Sequence, residues 1–192
     1  MVIGGSNNFK AISNIEIVNP QDEEFNCNSS DYPYRVYGHA STYVPSLQGT
    51  VTCGGYNENG NRHTMCFIIR KGGALTQLAN MNTARVEFGM VSNGDHIFAI
   101  GGYGGWWNME TFNTNNGQWI EEELPFKVRM HCVVTILRWI VVTGGVDLHG
   151  KVSKCNSKIM RPKIYTNASS AMIKTLLLQQ STFTYFLKFV GS

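Results

Sequence analysis

Four Gly-Gly pairs lie at near-regular distances along this chain: Gly4-Gly5, Gly54-Gly55, Gly101-Gly102 and Gly144-Gly145, spaced 50, 47 and 43 residues apart. Each closes a short apolar run: Met1–Ile3, Thr50–Cys53, His96–Ile100 and Trp139–Thr143. A period of this size, with a strand before every pair, indicates one supersecondary unit repeated several times and stacked on its neighbours. The glycines let the strand turn through positive φ and let a neighbouring backbone approach. Strands are therefore expected to end at residues 3, 53, 100 and 143.

The rest of each period repeats in the same order. A polar loop follows the pair, then a second apolar run: Ile12–Val18, Thr64–Arg70 or Trp107–Asn113. Turn residues come next, at Asn19-Pro20, Lys71-Gly72-Gly73 and Thr114–Gly117. A third strand carries a bulky residue, Phe25, Leu75 or Trp119, and an arginine (Arg35, Arg85, Arg129) opens a fourth. Four short strands per period, separated by turn signals, make the blade of an all-β propeller.

These residues resemble the kelch repeat. That family combines a glycine pair after an apolar strand, an aromatic on the next strand, a Trp further on and an Arg before the following unit. The third unit fits best, with His96–Gly102, Met109–Asn113, Trp119, Leu124-Pro125 and Arg129. The second has Leu75 and the first Phe25 in place of the Trp. The resemblance covers residues 1–153 and implies four-stranded antiparallel blades. It also implies protein partners: ubiquitin-ligase substrates where an adaptor domain is present, actin or cell-surface proteins elsewhere. No adaptor domain is present here to select among them. The units amount to three to four blades, whereas propellers close with four to eight. An unclosed arc, a piece of a larger propeller, is expected.

The formal net charge of +3 conceals two different segments. Residues 1–150 hold nine Lys and Arg and all thirteen Asp and Glu; residues 151–192 hold seven Lys and Arg and no acid. Residues 154–192 lack doublet, Trp and Arg-led strand, and are expected to form an atypical basic tail, non-native or poorly ordered. The run Ile173–Val190 is interrupted by Lys174, Gln179, Gln180 and Lys188, which argues against a membrane span. The repeat region is mildly acidic without a basic stripe, which argues against nucleic acid as a partner. No secretory leader is visible, and the compartment stays open between cytoplasmic and secreted.

The expected function is a non-catalytic protein-interaction module. Its candidate contacts lie on loops after the glycine pairs (Tyr56, Asn57, Trp106, Trp107) and before the returning strands (Arg85, Arg129). Gly54, Gly55, Gly101, Gly102, Gly144, Gly145 and Trp119 are expected to be structural, with Trp119 buried between blades. The three arginines are expected to donate to carbonyls between blades. Open blade faces would favour self-association. His39, His63, His96, His131 and His149 are dispersed without metal-ligand spacing, and no metal or other cofactor is expected. Of five cysteines, Cys53 and Cys66 fall on adjacent antiparallel strands within bridging reach; a disulfide and a pair of packed thiols both fit. Two rival functions follow from the same repeat. One is a fragment of a galactose-oxidase-like copper enzyme, although its Tyr, His and Cys-linked Tyr ligand set is not recognisable here. The other is a truncated chain with no function of its own.

Overall fold

The computed structural model describes residues 2–8, 10–17, 28–137, 139–147, 150 and 158–160. All lie within the unit Met1–Pro162. Phe25, Cys27, Cys155, His149 and the tail beyond 160 fall outside the described residues.

The described chain is all-β, with one 3-10 turn at Pro45–Leu47. It forms four antiparallel sheets in chain order. Blade I holds β1 (Val2–Ile3), β2 (Ser6–Asn7), β3 (Lys10–Ile17) and β4 (Asn28–Val36), with β3 central. Blade II is the meander β5 (Ala40–Val44), β6 (Gly49–Cys53), β7 (Cys66–Arg70) and β8 (Leu75–Leu78). Blade III repeats it with β9 (Gly89–Asn93), β10 (His96–Ile100), β11 (Asn108–Asn113) and β12 (Gln118–Glu123). Blade IV shows β13 (Arg129–Ile136), β14 (Trp139–Val146) and β15 (Lys158–Met160). β15 lies past residue 153, where the repeat signals stop.

The strands before the first three glycine pairs end at 3, 53 and 100, as expected. The fourth does not stop at 143. β14 runs through Gly144-Gly145 to Val146 because Arg129 pairs with Val146. The equivalent pairs in blades II and III are single bridges, Tyr37 with Tyr56 and Val86 with Tyr103.

Alternation of side chains builds the core. The middle strands of blades II and III have a blade on either side, so both their faces are buried and their sequences are continuous apolar runs. On β7, Phe67 and Ile69 join Ile15 and Tyr32 of blade I, while Cys66 and Ile68 join Ile97 and Ala99 of blade III. On β10, Phe98 and Ile100 turn the other way and meet Ile140 and Val142 of blade IV. Inner strands are stitched laterally: Ser92 Oγ donates to Tyr43 O at 2.7 Å, and Thr135 Oγ1 to Ser92 O at 3.0 Å.

The glycine pairs sit where blades touch. A Cβ on Gly54 (φ +66°) would lie 2.5 Å from Arg85 O of the next linker, and one on Gly55 would lie 2.5 Å from Val36 Cγ2 on the other side. Gly101 and Gly102 are equally constrained, by Val128 O and by Phe88 Cβ, each 2.5 Å away. The second glycine of each of the first three pairs also donates its N–H across the joint: Gly5 to Val36 O, Gly55 to Arg85 O and Gly102 to Val128 O, at 2.7, 3.0 and 2.9 Å.

Candidate functional site

Those cross-joint bonds define the repeat frame. Val36, Arg85 and Val128 occupy equivalent positions, so Arg35, Arg85 and Arg129 do not. The expectation of three equivalent, carbonyl-bound arginines is therefore corrected. Consecutive residues of an extended segment point to opposite sides, so a shift of one place changes the environment completely. Only Arg85 is buried, with no exposed side chain. It donates to Gly101 O (3.0 Å), Asn108 O (3.2 Å), Asn108 Oδ1 (2.7 Å) and the Glu110 carboxylate (2.7 Å). Glu110 also accepts from the N–H groups of Asn82 (2.6 Å) and Thr83 (3.0 Å), fastening blade II's exit to blade III. Burial draws the Arg85 pKa down while Glu110 opposes that shift. Arg85 is thus a structural anchor and offers no surface for contact. Arg35 instead pairs with Glu58 at 3.4 Å in the open, and Arg129 with Glu87 at 2.6 Å, half-buried.

The loops after the glycine pairs and the linkers before the inner strands converge on one rim. Tyr56 N–H donates to Tyr37 O (2.8 Å) and Tyr103 N–H to Val86 O (2.8 Å), tying each loop to the linker entering its own blade. Neighbouring linkers are joined in turn, Glu87 N–H to Gly38 O and Met130 N–H to Glu87 O, both 2.8 Å. Asn57 Oδ1 accepts from the N–H groups of Asn59 (3.0 Å) and Asn61 (2.9 Å), so this candidate contact shapes its own loop. The Cys53–Cys66 disulfide closes the base of that loop. The two cysteines are directly opposed in the β6–β7 ladder, with Cα atoms 4.2 Å apart.

A strip of rings and cations crosses this rim. The rings of Tyr37 and Tyr56 are 5.1 Å apart. The Arg62 guanidinium lies over the Tyr103 ring at 4.7 Å, Tyr103 meets Trp106 edge to face at 5.8 Å, and Arg129 lies 5.5 Å over Trp106. Beside it, Lys127 Nζ sits over the exposed Trp107 ring, 2.8 Å from its centre. Blade II supplies Arg62, blade III supplies Tyr103, Trp106 and Trp107, the linker to blade IV supplies Lys127, and the start of β13 supplies Arg129. Burial first, and the nearby Glu87 charge second, push the Tyr56 phenol upward, so it stays protonated at neutral pH. Of the expected contacts, the structure thus brings Tyr56, Trp106, Trp107 and Arg129 together on the rim. Arg62 and Lys127 lie in the loops 56–63 and 126–129 that the sequence pointed to, although neither residue was singled out there, and Glu87 lies outside those loops.

Trp119 departs from expectation. It is half-buried, packing on Phe112 at 5.0 Å, and its Nε1–H donates to Ala79 O at 2.9 Å. β12 is the outer strand of its blade, so the indole caps the blade II–III core rather than filling it. A second unforeseen repeat position holds His39, Phe88 and His131. Each ring packs over the first glycine of the preceding pair, 3.3, 2.9 and 3.3 Å from where a Cβ would stand on Gly4, Gly54 and Gly101. Burial lowers His39 and His131 to about 4, with the nearby His63 contributing for His39. Among the described residues no three His, Cys, Asp or Glu side chains gather as metal ligands, and no helix is long and apolar enough to cross a membrane.

No protein-family model matches the sequence, and no curated protein does either. Among solved structures the chain is similar to YjhT, which has a kelch-type β-propeller fold. Sequence identity is 16% and the TM-score 0.65, over 76% of this chain and 48% of YjhT. The chain therefore spans about half the length of that protein. The likeness and the four stacked sheets show a partial β-propeller.

Proposed function

We infer that this chain is a non-catalytic interaction module of kelch type that holds an acidic protein segment on the rim formed by its glycine-pair loops. The observation that carries this reading is the strip from Arg62 through Tyr103 and Trp106 to Arg129, assembled from three successive blade regions. Arg35 and Arg129 have carboxylate partners in Glu58 and Glu87. Arg62 and Lys127 lie instead against aromatic faces, with no carboxylate bridging them among the described residues. Their charge is available to a partner, and aromatic and Arg side chains in such a setting are the common anchors of protein interfaces. Kelch membership is supported by the registered glycine pairs and the Met109–Arg129 pattern.

The test is selection of linear peptides from a random display library on the purified full chain. Acidic peptides should be enriched. Arg62→Ala and Trp107→Ala should each weaken their binding about tenfold, a loss of about 1.4 kcal/mol. Asn115→Ala, on the opposite rim at the β11–β12 turn, should leave it unchanged. Equal binding by all three variants would sink the proposal.

A further inference from the structure

The two outermost blade faces differ in chemistry. On blade IV, Val133, Ile140, Val142 and Met160 point toward blade III. The alternate residues point away, and the register places Val134 opposite Val141, Ile136 opposite Trp139, and Ile159 opposite Val141. Val134, Ile136 and Ile159 are 47%, 54% and 61% exposed, and Leu137 in the adjoining turn is 88% exposed. The described residues of this face carry no charge. A Cβ on Gly144 would meet nothing within 4 Å, whereas Gly54 and Gly101 each abut the next blade. On blade I, Val2 pairs with Glu16 and Asn14 with Asp31, and these look away from the Ile3–Ile15 side that packs on blade II. Among the described residues, that face carries the Glu16 and Asp31 carboxylates beside Val2, which is 55% exposed.

We propose that a second copy of this chain covers the outer face of blade IV, the two copies meeting blade IV to blade IV about a two-fold axis. Head-to-tail stacking would press Glu16 and Asp31 against Val134 and Ile136, stripping two carboxylates of water without a partner. Pairing blade IV with itself sets apolar side chains on apolar side chains. Such a contact is isologous and closes at two copies, so it does not grow into a filament. A symmetric pair of such faces reaches the low end of stable interface size when it buries about 1,200 Å² in total. The expected self-association is thereby narrowed to one face and one stoichiometry. It is independent of the rim reading above.

Sedimentation velocity and light scattering on the full chain across a concentration series provide the test. A dimer that dissociates on dilution is expected. The Val134→Glu/Ile136→Glu double variant alters only exposed positions and should raise the dissociation constant at least tenfold with an unchanged circular dichroism spectrum. Glu16→Lys, on blade I, should leave the dimer intact. Cys132 is an exposed thiol on β13, on the same side as Val134. In a Cys27→Ser/Cys155→Ser background, a short bismaleimide should therefore cross-link two copies through Cys132. A monomer at every concentration, a series of growing oligomers, or a dimer indifferent to the double variant would overturn the proposal. If the double variant unfolds, the Cys132 cross-link decides alone, and its absence counts against the paired face.

Discussion

Glu110 shows how one residue carries a joint. It is fully buried on β11 and receives Arg85 and two backbone N–H groups that arrive from the preceding blade. Its sequence setting, Met109-Glu110-Thr111-Phe112 inside a strand with both faces covered, was a signal in itself, since a buried carboxylate requires partners. The partners were not legible, because Arg85 lies 25 residues away and its equivalence to Arg35 and Arg129 proved false. Glu110→Ala would leave the Arg85 guanidinium buried without its counter-charge. A loss of about 3–5 kcal/mol is expected, measured by urea unfolding. A change below about 1 kcal/mol would show that Gly101 and Asn108 alone satisfy Arg85. Trp119 carries the opposite lesson: its bulk suggested a core residue, but its N–H needed an acceptor and its strand lies at the blade's outer edge.

At the scale of elements, the linkers before the inner strands repeat a ring over a glycine: His39, Phe88 and His131. The imidazoles are neutral in the folded chain, since burial lowers them from 6.5 to about 4. The unfolded chain takes up a proton near pH 6.5 and the folded chain only near 4. It follows that stability is full above 6.5 and is lost as pH falls between those values, by about 3 kcal/mol per imidazole at most. Thermal melts from pH 7.5 to 4 should show this decline, and His39→Phe/His131→Phe should flatten it, with Phe88 as the precedent for a phenyl ring there. An unaltered slope in the double variant would place the acid sensitivity elsewhere. Sequence alone showed these histidines to be scattered. Only the folded frame puts two of them in equivalent sites. The Cys53–Cys66 bridge is another element-scale case. The sequence put both cysteines beside one loop and left bridge and thiols open; the β6–β7 register decided for direct opposition.

For the whole molecule, blades II and III are packed on both faces, while blade IV shows an alternating pattern along β13. Local opening should follow this gradient. In dilute solution, hydrogen exchange is expected to be slowest in β7 and β10 and faster in β13 and β15. Uniform protection across the four blades would contradict it. The sequence by itself determined the all-β class, the blade as unit, three of four strand ends and the need for glycine at the joints. Those follow from local chemistry repeated at a fixed period, where an apolar run, a turn and a residue without Cβ have one meaning wherever they recur. The tertiary structure alone decided which linker residue faces inward, which rings and cations form the rim strip, and which outer face is apolar. Side-chain direction in extended chain alternates with every residue. It is therefore set by the hydrogen-bonded register with another blade, tens of residues away, and not by neighbours in sequence.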